Sequence, residues 1–93
     1  MNTITLINKN KGKIVMKKII VYTTAYCSFC DSAKRFLEQK GLKYESIDMT
    51  NDHDLRQKLS EENSWRTVPM IFVDDQFVGG FTELVALDSK GEL

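Results

Sequence analysis

Lys18-Ile19-Ile20-Val21-Tyr22-Thr23-Thr24-Ala25-Tyr26-Cys27-Ser28-Phe29-Cys30 is the stretch on which the fold turns. It begins as an apolar, β-branched run and ends in the only two cysteines of the chain. A strand that stops near Tyr22 or Thr23, followed by a helix from about Ser28, puts Cys27 at or just before the first helical turn. There several backbone N–H groups lack intrahelical partners, and the positive end of the helix dipole favours an anion. A cysteine pKa falls from about 8.5 to as low as ~3.5 in such settings, and the thiolate is the attacking species. Cys30 lies one turn deeper over the same helix face, near enough to close a disulfide. Cys27 therefore reads as the nucleophile and Cys30 as the resolving thiol. Two buried structural thiols are the plain alternative. Zinc competes poorly, because a structural site wants four ligands and the chain adds only His53 to the two cysteines.

Composition fits one small domain. The chain has 93 residues and a 42% apolar fraction, enough for a modest core. Thirteen basic and thirteen acidic residues cancel, which argues against nucleic-acid binding by bulk charge. No apolar run approaches the ~20 residues that span a bilayer, and no secretory core is visible. The cytoplasm is the expected compartment, and there a CxxC pair cycles and does not merely staple. Residues 1–15 carry Lys9, Lys11 and Lys13 and no acid. They read as a disordered N-terminal extension ahead of a domain over 16–93.

From Met16 onward, strand and helix signals alternate. Lys18 to Thr23 is a strand candidate. Ser28 to Lys40 sets Phe29, Cys30, Ala33, Phe36 and Leu37 along one helical face, with Gly41 as the stop. Tyr44 to Asp48 is a second strand, and Asn51 or Asp52 can cap a second helix carrying Leu55 and Leu59. Met70 to Val73 and Gln76 to Val78 form a hairpin across Asp74-Asp75, a turn pair and not a metal dyad. Gly79-Gly80 breaks the pattern, and Thr82 can cap a last helix through Asp88. The order β-α-β-α-β-β-α predicts an α/β sheet flanked by helices, its first two strands parallel. Pro69, the only proline, begins the third strand. A cis Val68–Pro69 bond would turn the Val68 backbone outward to pair with an extended peptide.

The chain resembles the small dithiol glutaredoxins from Met16 to Leu93. Three motifs carry the resemblance: Cys27-Ser28-Phe29-Cys30, Thr67-Val68-Pro69, and Gly79-Gly80-Phe81-Thr82-Glu83. It implies a thioredoxin fold with a four-stranded mixed sheet, and a cis Pro69. It also implies glutathione lying as an added strand against Thr67-Val68, beside Phe29. The γ-glutamyl end would be held by Gly80, Phe81, Thr82 and Glu83. Helix N–H groups suit its carboxylate, and Glu83 suits its ammonium.

Four positions depart from the family pattern. Ser28 stands where proline is usual, Phe29 where tyrosine is, Thr24 where a basic residue is common, and Trp65 where glutamine often is. Arg66 is then the expected contact for the glycine carboxylate of glutathione, with Arg56 a second candidate. His53 reads as a surface residue.

The expected activity is glutathione-dependent thiol–disulfide exchange. Cys27 attacks a protein disulfide or the protein side of a glutathione mixed disulfide, and Cys30 or a second glutathione resolves the intermediate. The expected partners are glutathione and disulfide-bearing or glutathionylated proteins, ribonucleotide reductase among the conceivable ones, acting on a monomer. Two alternatives stand beside this. One is reduction by thioredoxin reductase; the other is a [2Fe–2S] cluster bridged by Cys27 of two chains and two glutathione thiols.

Overall fold

The computed structural model describes residues 17–93. The extension expected over 1–15 lies outside the described residues. The elements are β1 (Ile19–Thr23), α1 (Ser28–Gln39), β2 (Glu45–Asp48), α2 (His53–Asn63), β3 (Met70–Val73), β4 (Gln76–Gly79) and α3 (Phe81–Ser89). The sheet order is β2-β1-β3-β4. β1 pairs parallel with β2 and antiparallel with β3, and β3 pairs antiparallel with β4. This is the four-stranded mixed sheet of the thioredoxin fold. The Val68–Pro69 bond is cis, as expected.

Alternation in β1 divides the core between two faces. Ile19 and Val21 turn toward α1 and α3, where they pack with Ala33, Leu37, Ile71, Val73 and Leu84. Tyr22 turns the other way, to a cluster built on Met49, Leu59 and Met70 under α2. The helical stripe read in α1 is buried at Cys30, Ala33 and Leu37. Phe29 departs from it and is 63% exposed. It sits in the first turn, where the stripe runs off the core.

Helix ends follow local chemistry. The Asp52 carboxylate caps α2, accepting from the Leu55 N–H at 3.1 Å. Near the end of α1, the Tyr44 hydroxyl donates to the Glu38 carboxylate at 2.6 Å. That bond, with smaller help from burial and the Glu38 charge, pushes the Tyr44 phenol up to about 12. Thr82 does not cap α3. The cap is Gly80, with Thr82 inside the first turn. Gly80 has no side chain to cap with, and the Glu83 carboxylate reaches back to accept the Gly80 N–H at 2.9 Å.

The β3–β4 turn places Asp74 and Asp75 at φ 52° and 67°. Two positive φ values define the turn type that favours Asn-Gly or Asp-Gly. Asp74 also ties the turn to the start of β1, accepting the Lys18 N–H at 2.9 Å. Asp75 offers only a 3.3 Å ion pair to Lys18 with both side chains well exposed, a contact that contributes little.

Asp75→Gly removes a left-handed penalty and should stabilise the fold by ~0.5–1 kcal/mol net of glycine entropy, raising Tm by a few degrees. An unchanged or lower Tm would count against the turn geometry. In the folded protein the Tyr44 phenol is pushed above its ordinary value of 10.0, to about 12. Its contribution is therefore complete below pH 10 and is lost as pH rises toward 12. Melts of Tyr44→Phe should show a shallower decline across that window than wild type.

Candidate active site: a helix-capping dithiol beside a cleft

Cys27 is the N-cap of α1, in extended backbone at φ −117° and ψ 104°. Its Sγ accepts the Cys30 N–H at 3.1 Å. The sulfur therefore occupies the place that a serine or aspartate oxygen usually takes at a helix start. On a thiolate the same bond is charge-assisted and stronger. The structure holds the oxidised pair, Cys27–Cys30, with Cα atoms 5.2 Å apart. Cys27 is half-buried, whereas Cys30 is 1% exposed. The asymmetry read from the spacing is thus physical: one sulfur faces outward and the other inward.

The loop before Cys27 is pinned to the β2–α2 connection. Met49 N–H donates to the Thr23 carbonyl at 2.7 Å. The Thr50 hydroxyl donates to Asp48 Oδ1, and its oxygen accepts the Ala25 N–H at 2.8 Å. Asp48 also accepts the Thr50 N–H. These two Thr50 bonds, the hydroxyl's first, hold the Asp48 carboxyl below its ordinary value. Neither Asp48 nor Thr50 is marked by the sequence. The one legible hint is an Asp two residues before a Thr, a spacing suited to a local side-chain turn.

Across from the dithiol, the Cys27 sulfur lies 3.7 Å from the Val68 carbonyl. Beside it opens a cleft of ≈ 250 Å³. Its walls are Phe29, the Thr67-Val68-Pro69 segment, and Gly80, Phe81, Thr82 and Glu83 at the start of α3. Three segments far apart in sequence therefore meet at one hollow. Arg66 is not among its walls. It lines a neighbouring hollow with Gln57, Ser60, Glu61 and Ser64, and Trp65 stands between the two, bordering both. Trp65 stacks edge-on against Phe77 with centroids 5.5 Å apart. It is a wall residue that the sequence marks only as a departure from the family pattern.

Gly79 is required for this arrangement. Its φ is 129°, and a Cβ there would fall 2.7 Å from Glu83 Cγ. Any side chain would displace the carboxylate that caps α3.

Among the described residues, no group of three or more His, Cys, Asp or Glu side chains could hold a metal ion. With one outward-facing sulfur, a bridged cluster would take a single ligand from each chain. No described helix is long and apolar enough to cross a membrane.

A thioredoxin-fold protein with its dithiol at a helix N-terminus is built for thiol–disulfide exchange. The glutaredoxin family model matches residues 19–78. Glutaredoxin 1 of Rickettsia bellii is 38% identical over 87 residues, covering 88% of each chain. The solution structure of a Brucella melitensis glutaredoxin superposes with a TM-score of 0.72 at 35% identity, over 83% of this chain and 84% of that one. A buckwheat glutaredoxin in complex with glutathione gives 0.76 at 25% identity, over 83% and 73%. The chain belongs to the glutaredoxin family, and its activity class is thiol–disulfide oxidoreductase.

The division of labour between the sulfurs is testable. In the reduced protein at about pH 6, iodoacetamide should label Cys27 well before Cys30. Cys27→Ser should abolish turnover. Cys30→Ser should keep deglutathionylation and lose reduction of protein disulfides that need both thiols. Mass spectrometry showing Cys30 labelled first would reverse the assignment.

Proposed function

We propose that the protein reduces glutathione mixed disulfides and protein disulfides, with glutathione as electron donor, in a reducing compartment such as the cytosol. The observation that carries this reading is the cleft. Every residue that the family resemblance assigns to glutathione borders one hollow beside Cys27, except the two candidates for its glycine carboxylate, Arg66 and Arg56. The glutathione complex of the buckwheat relative supports the same ligand.

The fit is chemical as well as spatial. Among the described residues, the Val68 N–H donates to no backbone carbonyl, which leaves it free to pair with an extended tripeptide. The first N–H groups of α3 lack helical partners and suit the γ-glutamyl carboxylate. Glu83 spends one oxygen on the Gly80 N–H and keeps the other for an ammonium.

With glutathione seated there, the sulfur facing Cys27 is that of glutathione, not the protein sulfur expected from sequence. The Cys27 thiolate attacks it, forming a Cys27–glutathione disulfide and expelling the protein as a thiolate. A second glutathione thiolate attacks the glutathione sulfur of that disulfide. Oxidised glutathione leaves, and the Cys27 thiolate is restored. With a protein disulfide, Cys27 forms the mixed disulfide and Cys30 displaces the protein. Glutathione then reduces the Cys27–Cys30 bond in two exchanges.

The test is turnover of a glutathionylated substrate, with oxidised glutathione recycled by its reductase and NADPH followed by absorbance. Turnover supported by thioredoxin reductase but not by glutathione would replace this reading. Arg66 is exposed and lies across Trp65 from the cleft, so the glycine carboxylate must extend past Trp65 to meet it. Solvent weakens such a contact. Arg66→Ala should raise the apparent KM for glutathione by about three- to tenfold, below the loss of a buried charge-assisted bond. An unchanged KM would return Arg66 to the solvated surface.

A further inference from the structure

Tyr26 and Phe29 are the two large apolar side chains left exposed among the described residues, and they flank Cys27. Their surroundings differ. Phe29 borders the cleft, and Tyr26 does not. Tyr26 reaches 107% relative exposure, so its ring packs against nothing. Its backbone sits at φ 58°, a left-handed conformation uncommon for a bulky residue. The preceding N–H, that of Ala25, is fixed by Thr50, and the following residue is fixed as the helix cap. The fold thus holds an unfavourable turn whose result is a bare aromatic ring beside the nucleophile. Nothing in the free protein gains from that placement.

We propose that Tyr26 is the docking contact for the polypeptide part of the substrate. This rests on the reading above, in which Cys27 acts on protein-bound glutathione. Once the glutathione moiety fills the cleft on the Phe29 side, the protein bearing the other sulfur must leave from the open side of Cys27. Tyr26 meets it there. An aromatic ring with a polar tip is the kind of side chain that anchors protein contacts at small entropic cost. The partner it fits is an extended segment with an apolar residue next to its modified cysteine. Tyr26 does not border the cleft that would hold glutathione, so the residue discriminates by the size of the leaving group. The exchange is unchanged: Cys27 takes the glutathione, and the polypeptide departs as a thiolate.

The test compares two substrates of the same chemistry, glutathionylated serum albumin and the glutathione–cysteine mixed disulfide. Tyr26→Asn removes the ring while tolerating left-handed backbone, and Tyr26→Phe keeps the ring. Tyr26→Asn should lower kcat/KM on the albumin substrate by about five- to tenfold, the scale of a modest interface anchor, and leave the small disulfide within about twofold. Tyr26→Phe should behave as wild type, and Cys27 should alkylate at the same rate in all three proteins. Equal loss on both substrates, or no loss on albumin, overturns the proposal. A wild-type protein inert toward both substrates overturns the reading of the site itself, and the role of Tyr26 with it.

Discussion

The donation of the Cys30 N–H to the Cys27 sulfur is the bond on which the site depends. It makes one cysteine the cap of α1 and the other a member of its first turn. From that follow the exposure of the first sulfur and the burial of the second. A helix must begin somewhere, and its orphan donors must be met. Meeting them with sulfur couples fold to reactivity, because the anion that the cap favours is also the nucleophile. β1 matters to function because it delivers the chain to this point. Its alternation locks the strand between two core clusters, and the chain leaves it four residues before the cap.

The cap alone leaves the sulfur on a loop, and loops move. Two bonds from the β2–α2 connection restrain it, one to the Thr23 carbonyl and one from Ala25 to the Thr50 hydroxyl. Asp48 orients that hydroxyl by accepting its hydrogen bond, so the lone pair points at the Ala25 N–H. The parallel pairing of β1 with β2 makes this possible. Thr23 pairs with Asp48, and both strands deliver their C-terminal ends to one edge. The place where parallel strands end is where an α/β sheet ordinarily gathers its functional loops.

Much of this was legible before any coordinates. Alternation in Ile19–Thr23, the CxxC pair and the Asp-Asp turn are local signals, each decided by a few neighbouring residues. The missed features are those in which distant residues compete. Thr82 looked like a cap because hydroxyls favour that role. Gly80 took it instead, and Glu83 reaches back to accept the Gly80 N–H past Gly79, whose φ disfavours any side chain. Phe29 matched the apolar stripe, yet periodicity says which face a residue shares and not where along the helix the core ends. Tyr26 carried no signal, because left-handed backbone announces itself through glycine, asparagine or aspartate and not through a tyrosine.

Glu83 shows how tightly the far wall of the cleft is constrained. The start of α3 must stay open if its N–H groups are to receive a carboxylate, which argues against a bulky cap. Gly80 satisfies that, and Glu83 then accepts the Gly80 N–H from within the helix, leaving the first-turn N–H groups open. The carboxylate can do so only because Gly79 has no side chain to push it away. Two glycines and one acid thus form a single unit, in which the glycines are dictated by the position of the acid. Glutamine at position 83 would still accept the Gly80 N–H, but it would bring no charge to face an ammonium. The fold alone asks for an acceptor there; an acid adds what a zwitterionic ligand end needs.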